Sequence, residues 1–216
     1  VTGLGNEALS VSNTSTITEL NDLDSETTGV ITANVQSGNA STMSGLANAN
    51  GNNAYSYTLT DTSIAASTLN TLDAATAGTI TVSATTITGA AADINTAYAS
   101  SGFSGLGDEA VTINDTTVEA SVLNTLNSNT TGLVTATSVA TLTGTAAAIN
   151  TLVGNEGDSG DKVNLDSDYV ATLSDTTITA TVLNAVNGNV PGTVNASTVA
   201  TITGAAADIN LSLIHI

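Results

Sequence analysis

The sequence predicts an α/β solenoid, in which short parallel strands alternate with short helices and two coils of about 25–30 residues make one repeat unit. The first observation is a repeated phrase whose opening aspartate recurs at Asp61, Asp115 and Asp175, at intervals of 54 and 60 residues. The second is that each unit divides into two similar halves. Residues 1–210 therefore form one predicted repeat array, with units at about 1–53, 54–106, 107–165 and 166–210.

Each half-unit carries an apolar residue followed by asparagine. From Asn70 onward these asparagines are separated by 25 to 34 residues, and the longer intervals indicate loop insertions. We interpret them as a buried structural ladder, in which each side-chain amide bonds the backbone of the next coil. The alternative is an exposed residue at a helix C-terminus that tolerates a left-handed backbone. The ladder residues are Asn70, Asn95, Asn124, Asn150, Asn184 and Asn210.

Within a coil the apolar period changes from two to three or four. Val111 and Ile113 alternate with polar neighbours, which is typical of a short half-buried strand. Leu123 and Leu126 are then three apart, which predicts a short helix. Threonines that precede Gly-Ala or Gly-Thr-Ala are predicted to cap the helices of the second halves. These are Thr88, Thr143 and Thr203.

Glycines just before the next strand are predicted to close the turns. They are Gly29, Gly78, Gly132 and Gly192. A strand, a helix and a turn in every coil imply parallel strands, because helical crossovers rather than hairpins join successive strands. Tandem β-sandwich-like domains are the alternative fold, although a unit this short and Ala-rich tracts do not favour them.

Composition limits the interior and the partners. Apolar residues make up 41% of the chain but aromatic residues only 2%, so the predicted core is narrow and lined by aliphatic side chains. Nineteen acidic residues face one lysine, Lys162, and no arginine, for a net charge of −18. This balance excludes a nucleic-acid partner and docking on anionic lipid, which require basic residues. There is no apolar run long enough to predict membrane insertion.

An acidic insertion in the third unit is a candidate calcium site. Calcium binds six to eight oxygen ligands in proteins, and carboxylates are its common donors. The spacing matches neither an EF-hand nor a calcium-binding nonapeptide, so a solvated acidic loop is the alternative. The candidate ligands are Glu156, Asp158, Asp161, Asp166 and Asp168.

Catalytic groups are scarce, since the chain has one lysine, one histidine, no arginine and no cysteine. We therefore predict that it is not an enzyme, with no catalytic residue and no certain cofactor. The recurring aspartates Asp61, Asp115 and Asp175 are expected to serve turns or helix caps. The alternative function is a carbohydrate-binding or carbohydrate-active solenoid that uses acidic side chains. Residues 211–216 depart from the repeat and are predicted to be an atypical, non-native tail.

Several phrases resemble the Thr/Ala/Asp-rich repeats of giant surface or secreted, adhesin-like proteins of marine bacteria, including cyanobacteria. They are GLGDEAVTI at 105–113, DTTITATVLNAVNG at 175–188 and TVNASTVATITGAAADIN at 193–210. The resemblance implies an extracellular or cell-surface structural spacer or adhesive stalk segment. It implies neighbouring repeats of the same chain as the main partners, with cell-surface glycans or other surface proteins as further partners.

Overall fold

A computed structural model describes residues 5–160 and 162–214, and these form an α/β fold. The chain divides into two compact units, residues 1–88 with 96–109 and residues 89–95 with 110–216. The division after residue 109 lies close to the predicted boundary between repeat units at 106 and 107. The four repeat units themselves remain a sequence prediction.

Helices and short strands alternate along the described residues. The helices are α1 (Ile17–Glu26), α2 (Ala40–Met43), α3 (Ala66–Ala74), α4 (Ala91–Ala99), α5 (Ala120–Asn129), α6 (Ala146–Gly154), α7 (Ala180–Asn189) and α8 (Ala206–Ile214). The first eight strands are β1 (Leu9–Ser15), β2 (Ile31–Val35), β3 (Ala54–Leu59), β4 (Ser63–Ala65), β5 (Ile80–Val82), β6 (Thr86–Gly89), β7 (Phe103–Ser104) and β8 (Ala110–Ile113). The others are β9 (Thr117–Glu119), β10 (Val134–Ala136), β11 (Thr141–Gly144), β12 (Val163–Leu165), β13 (Val170–Leu173), β14 (Thr177–Thr179), β15 (Val194–Asn195) and β16 (Thr201–Thr203).

The strand pairings within each compact unit are parallel. In the first unit β1, β2, β3, β5 and β7 form one sheet in that order, and β4 pairs with β6. In the second unit β8, β10 and β12 are neighbours, β9, β11, β13 and β15 form a sheet, and β14 pairs with β16. None of the sheets formed by the described residues closes into a barrel. Parallel strands alternating with helices are thus confirmed, and the sandwich alternative is wrong because sandwiches are built from antiparallel sheets.

The predicted apolar positions form the core. Val111, Val134 and Val163 pair across three adjacent strands and are fully buried. Leu123 and Ile149 are fully buried too, and each is the fourth residue of its helix. Because α5 contacts α6, these equivalent positions lie in one aliphatic interior. Burial of each such side chain stabilises the fold by about 1.5–3 kcal/mol.

The predicted helix caps at Thr88, Thr143 and Thr203 are wrong. All three threonines lie in strands, namely β6, β11 and β16. The following glycines, Gly89, Gly144 and Gly204, have φ between 128° and 142°, and the helix starts only beyond them. At α6 the cap is Thr145, whose Oγ accepts a hydrogen bond from the Ala148 amide at 3.2 Å. Each helix begins three residues after the predicted threonine, because the chain stays extended as far as the glycine and only then turns into the helix.

Three of the four turn glycines are required because backbone at, or just before, the start of an earlier strand lies against them. A methyl group on Gly29 would collide with the Glu7 carbonyl, one on Gly78 with the Tyr55 carbonyl, and one on Gly192 with the Tyr169 carbonyl. None of the three has a positive φ. The close approach of this earlier backbone, rather than the conformation of the glycine itself, therefore explains why glycine recurs here.

The segment predicted as an atypical tail continues α8 as far as Ile214. The Ser212 hydroxyl is buried and donates to the Asn184 side-chain oxygen at 2.7 Å. Residues 211–214 therefore have helical structure, although they depart from the repeat in sequence. Residues 215–216 lie outside the described part of the chain.

Candidate functional site

The recurring aspartates cap helices that lie earlier in the chain. The carboxylate of Asp61 accepts a hydrogen bond from the Ala40 amide at 2.8 Å. Asp115 accepts one from Ala91 at 2.8 Å, and Asp175 accepts one from Ala146 at 2.7 Å. Each alanine is the first residue of its helix, in α2, α4 and α6 respectively, and is buried. The aspartate follows it by 21, 24 or 29 residues.

This arrangement satisfies two requirements of a helix N-terminus at once. The first four amide groups of a helix have no partner within the helix, and a buried amide without a partner is costly. The positive end of the helix dipole also favours a nearby anion. The structure therefore places Asp61, Asp115 and Asp175 in capping roles, each joining one half-unit to the next.

The predicted ladder asparagines occupy one position in successive helices. Asn70, Asn95, Asn124, Asn150, Asn184 and Asn210 are each the fifth residue of a helix, from α3 to α8. They follow the buried apolar residue of the pair, and all but the exposed Asn210 are half-buried. A mid-helix position does not agree with the C-terminal cap alternative.

Three of these side chains donate to the next helix. The amide of Asn95 bonds the Val122 carbonyl at 3.0 Å, that of Asn124 bonds Ala148 at 2.9 Å, and that of Asn184 bonds Asp208 at 3.1 Å. Each acceptor is the third residue of its helix. Asn21, which also follows an apolar residue, bonds the Gly45 carbonyl at 2.8 Å and accepts from Ala47 at 2.8 Å. The side-chain oxygens of Asn124 and Asn150 are buried without a hydrogen-bond partner in the described residues.

Hydroxyl groups in the turns form a third set of contacts that the sequence did not predict. The Oγ of Thr76 accepts from the amides of Tyr55 at 2.7 Å and Gly78 at 3.0 Å. The buried Thr27 donates to the Glu7 carbonyl at 3.0 Å and accepts from the Gly29 amide at 2.9 Å. A threonine two residues before three of the four turn glycines, at Thr27, Thr76 and Thr130, was the available signal. Because threonine is common throughout this chain, its recurrence at these positions did not stand out.

The acidic loop does not bring together a metal site within the described residues. Glu156, Asp158 and Asp168 are exposed and Asp166 is half-buried, while Asp161 lies outside the described residues. Among the residues that the structure describes, no three acidic, histidine or cysteine side chains are close enough to hold a metal ion. Partial desolvation raises the pKa of Glu156. Calcium binding by this loop stays a prediction.

Buried tyrosines lie close to carboxylates. In the first compact unit the buried Asn53 amide donates to Asp24 at 2.6 Å and to the Tyr55 hydroxyl at 2.9 Å. Burial, and secondarily the charge of Asp24, raises the pKa of Tyr55 to about 12. Burial likewise raises the pKa of Tyr57 to about 12, with a smaller contribution from Asp73. This polar network was not predicted, because nothing in the repeat pattern distinguishes Asp24 or Asn53.

Burial and the nearby Glu156 raise the pKa of Tyr169 to about 12 in the second compact unit. The Tyr169 hydroxyl is buried without a hydrogen-bond partner in the described part of the chain. An open groove of about 530 Å³ lies beside β1 and α1. Val11, Asn13 and Leu23 contribute to its wall, with three acidic side chains.

No family model, curated protein or solved structure matches this chain. The described helices have ten residues or fewer, and none has the length and apolar character needed to cross a membrane. The recurring hydrogen bonds of the aspartates and asparagines are therefore the principal basis for assigning a function.

Proposed function

We propose that the chain is a structural spacer or adhesive stalk segment of a large extracellular repeat protein, folded as an α/β solenoid and without catalysis. The observation that carries the proposal is the capping of α2, α4 and α6 by aspartates that follow the first residue of each helix by 21 to 29 residues. In a stacked array each coil contacts mainly its neighbours, so the contacts that matter recur with the repeat. Asp61, Asp115 and Asp175 follow this rule.

The same contacts weigh against the carbohydrate-active alternative. A glycosidase needs two carboxylates placed on either side of one bond, and one of them must exchange a proton. Here the carboxylates that recur are already bound to backbone amides at helix N-termini. Their repetition has a structural explanation and needs no catalytic one.

The charge supports an extracellular setting with abundant cations. Nineteen acidic residues against one lysine give a net charge of −18, which opposes compaction unless counterions screen it. A marine or calcium-rich exterior supplies such screening. Surface display on bacteria, with glycans or other surface proteins as adhesion partners, fits this charge and the repeat resemblance.

Duplication of one whole unit tests the structural part of the proposal. Residues 115–174 run from one recurring aspartate to the residue before the next, so inserting a second copy of them after residue 174 keeps every cap in register. We expect the longer chain to fold with a higher free energy of unfolding and a maximum dimension that grows by a fixed increment. Small-angle X-ray scattering should give the natural chain a radius of gyration well above about 17 Å, the value for a compact domain of this length.

A compact scattering profile, or misfolding of the enlarged chain, would count against a stacked array. Location is tested separately, by labelling intact cells of the source bacterium with an antibody raised against the chain. Labelling only after the cells are permeabilised would contradict surface display.

A further inference from the structure

We infer that the first compact unit carries a binding groove for a neutral ligand rich in hydroxyl groups, which is the chemistry of an uncharged glycan. The groove has a volume of about 340 Å³, within the range of small-ligand sites. We call it the hydroxyl groove, and its lining includes Asn34, Ser37, Ser56, Thr58, Thr79 and Thr81. The inference rests on the proposed adhesive role, which it deepens by naming a ligand class and a site.

The hydroxyl groove lies on the outer face of the sheet. In β2 and β3 every second residue is buried, as at Val35, Tyr57 and Leu59. The residues between them, such as Asn34 and Thr58, therefore lie on the opposite face. A further strand that paired with β1 would extend this face sideways without covering it, because strands add in the plane of a sheet. The groove would accordingly stay open in a longer array.

Pairing between the strands arranges the polar side chains in two rows. Asn34 lies opposite Ser56, and the Ser56 hydroxyl accepts a hydrogen bond from the Thr79 amide at 3.0 Å. Thr58 lies opposite Thr81 in the second row. Neighbouring strands are roughly 4.8 Å apart, and alternate residues of one strand are roughly 6.6 Å apart. The groove therefore presents a regular grid of hydrogen-bonding groups.

Several of these side chains are available to a ligand. Within the described residues, the side chains of Asn34, Thr58 and Thr79 form no hydrogen bond with the protein. Threonines on the helices differ, since Thr71 and Thr125 each donate to the carbonyl four residues earlier, at 2.8 and 2.9 Å. The groove side chains thus keep donors and acceptors that can pair with a bound molecule.

The lining of the groove determines which class of ligand it can hold. None of the described residues that line it is charged, although the chain has nineteen acidic residues, so a cation has no carboxylate to bind there. An anion would meet no basic residue and would be repelled by the net charge of −18. The large apolar residues of the lining, Val35 and Tyr57, are only 4% and 6% exposed, so an apolar ligand would gain little. An uncharged ligand rich in hydroxyl groups fits best, because each hydroxyl can both donate and accept.

Binding at a single groove should be weak. Hydrogen bonds between neutral groups contribute modestly, because each replaces a hydrogen bond to water. The one aromatic ring among the described lining residues, that of Tyr57, is buried and offers no surface on which a sugar ring could stack. We therefore expect a dissociation constant of about 1–10 mM. Linked copies in an array would bind more tightly through effective concentration, which suits adhesion by a repeat protein.

Titration of the nitrogen-15-labelled chain with oligosaccharides, followed by two-dimensional NMR, tests the inference. The probes are the neutral tetrasaccharides maltotetraose, cellotetraose and mannotetraose, together with the anionic tetragalacturonate. We expect at least one neutral tetrasaccharide to shift the amide signals of β2, β3 and β5, with a dissociation constant of about 1–10 mM. Tetragalacturonate should not bind, because it carries charges of the same sign as the chain.

Variants then test the groove itself. Thr58→Val removes one groove hydroxyl, keeps a β-branched side chain and should weaken binding about three- to tenfold. Thr79→Val, at an exposed position, should have a similar effect. The matched control is Thr135→Val, which should bind like the natural chain. Thr58 and Thr135 are both half-buried between two buried residues of a strand, but Thr135 does not line the groove. Circular dichroism of each variant establishes that it is folded.

The inference is overturned if none of the neutral tetrasaccharides binds, if the shifted amides lie outside β2, β3 and β5, or if tetragalacturonate binds as tightly as the neutral probes. It is also overturned if Thr58→Val and Thr79→Val both bind like Thr135→Val. A chain that binds no probe but shows the scattering profile of a stacked array would refute the glycan groove and leave the spacer role standing. Groove binding by a chain with a compact profile would support the groove and count against the stalk.

Discussion

Removing one capping carboxylate should weaken the junction between two half-units by an amount that the geometry predicts. Asp115 accepts the Ala91 amide at 2.8 Å, and Ala91 is only 1% exposed. Asp115→Ala would leave that buried amide without its acceptor, which costs about 1–3 kcal/mol. Asp115→Asn keeps an acceptor but loses the attraction between the charge and the helix dipole, so it should cost only about 0.3–1 kcal/mol.

Urea denaturation followed by circular dichroism measures both variants, with the midpoint and the slope fitted separately. The control is Asp158→Ala, because Asp158 is exposed and its loss changes the net charge by the same amount. Subtracting the control removes the general relief of acidic repulsion. The capping argument is refuted if Asp115→Ala is as stable as Asp158→Ala, or if the Asn and Ala variants are equally destabilised.

Three further predictions concern packing, counterions and pH. Leu123→Ala removes a fully buried side chain and should lower the free energy of unfolding by about 2–5 kcal/mol. In the same urea assay, the control Thr137→Ala at an exposed position should change the free energy of unfolding by less than about 0.5 kcal/mol. The melting temperature should rise between about 0.01 M and 0.5 M sodium chloride, because screening shortens the range of repulsion among nineteen acidic residues. Calcium should raise the melting temperature beyond that of an ionic-strength-matched sodium control only if the acidic loop binds the ion. Stability should be nearly constant between about pH 7 and pH 9 and should fall toward pH 12. The raised pKa values of Tyr55, Tyr57 and Tyr169 favour the neutral phenol in the folded state, while the unfolded chain ionises at its ordinary value of 10.0.

Each of these has a contrary outcome. Equal midpoints for Leu123→Ala and Thr137→Ala would contradict the assignment of the interior. A melting temperature that does not change with salt would remove the electrostatic argument for a salty setting. Phenolate absorbance from more than one of the four tyrosines that appears with a pKa of 10 before the chain unfolds would show that Tyr55, Tyr57 and Tyr169 are not desolvated as the structure indicates.

The alternation of strands and helices could be predicted from the sequence, because buried apolar residues recur every second residue in a strand and every third or fourth residue in a helix. Leu123 and Ile149 could be placed in the interior from spacing alone, and both are fully buried. Parallel pairing followed from the helical crossovers. The helix starts were misplaced because Thr143 was read as a cap, whereas the backbone continues as a strand to Gly144, with φ 128°. Backbone conformation at a glycine has no sequence signal beyond the glycine itself.

Contacts between residues that are far apart in the chain could be predicted less well from the sequence. The pairs of apolar residue and asparagine indicated a recurring role, but the acceptor of Asn124, the carbonyl of Ala148, lies 24 residues away. The partners of Asp115 and Thr76 are 24 and 23 residues away, because tertiary packing rather than local chain geometry brings them together. The network of Asp24 and Asn53 occurs once and therefore could not be found by comparing repeats.

The aspartate caps bear on how an array of this kind can change its length. Asp115 caps the helix that begins at Ala91, and Asp175 caps the one that begins at Ala146. Each capping aspartate is therefore encoded 24 or 29 residues after the start of the helix that it caps. Unequal recombination between two aspartate codons would remove or add a whole period and leave each remaining helix followed by a cap. A crossover within a period would instead join a helix to a coil that lacks the aspartate. Genes for such chains should accordingly vary among related strains in whole periods of 54 or 60 residues.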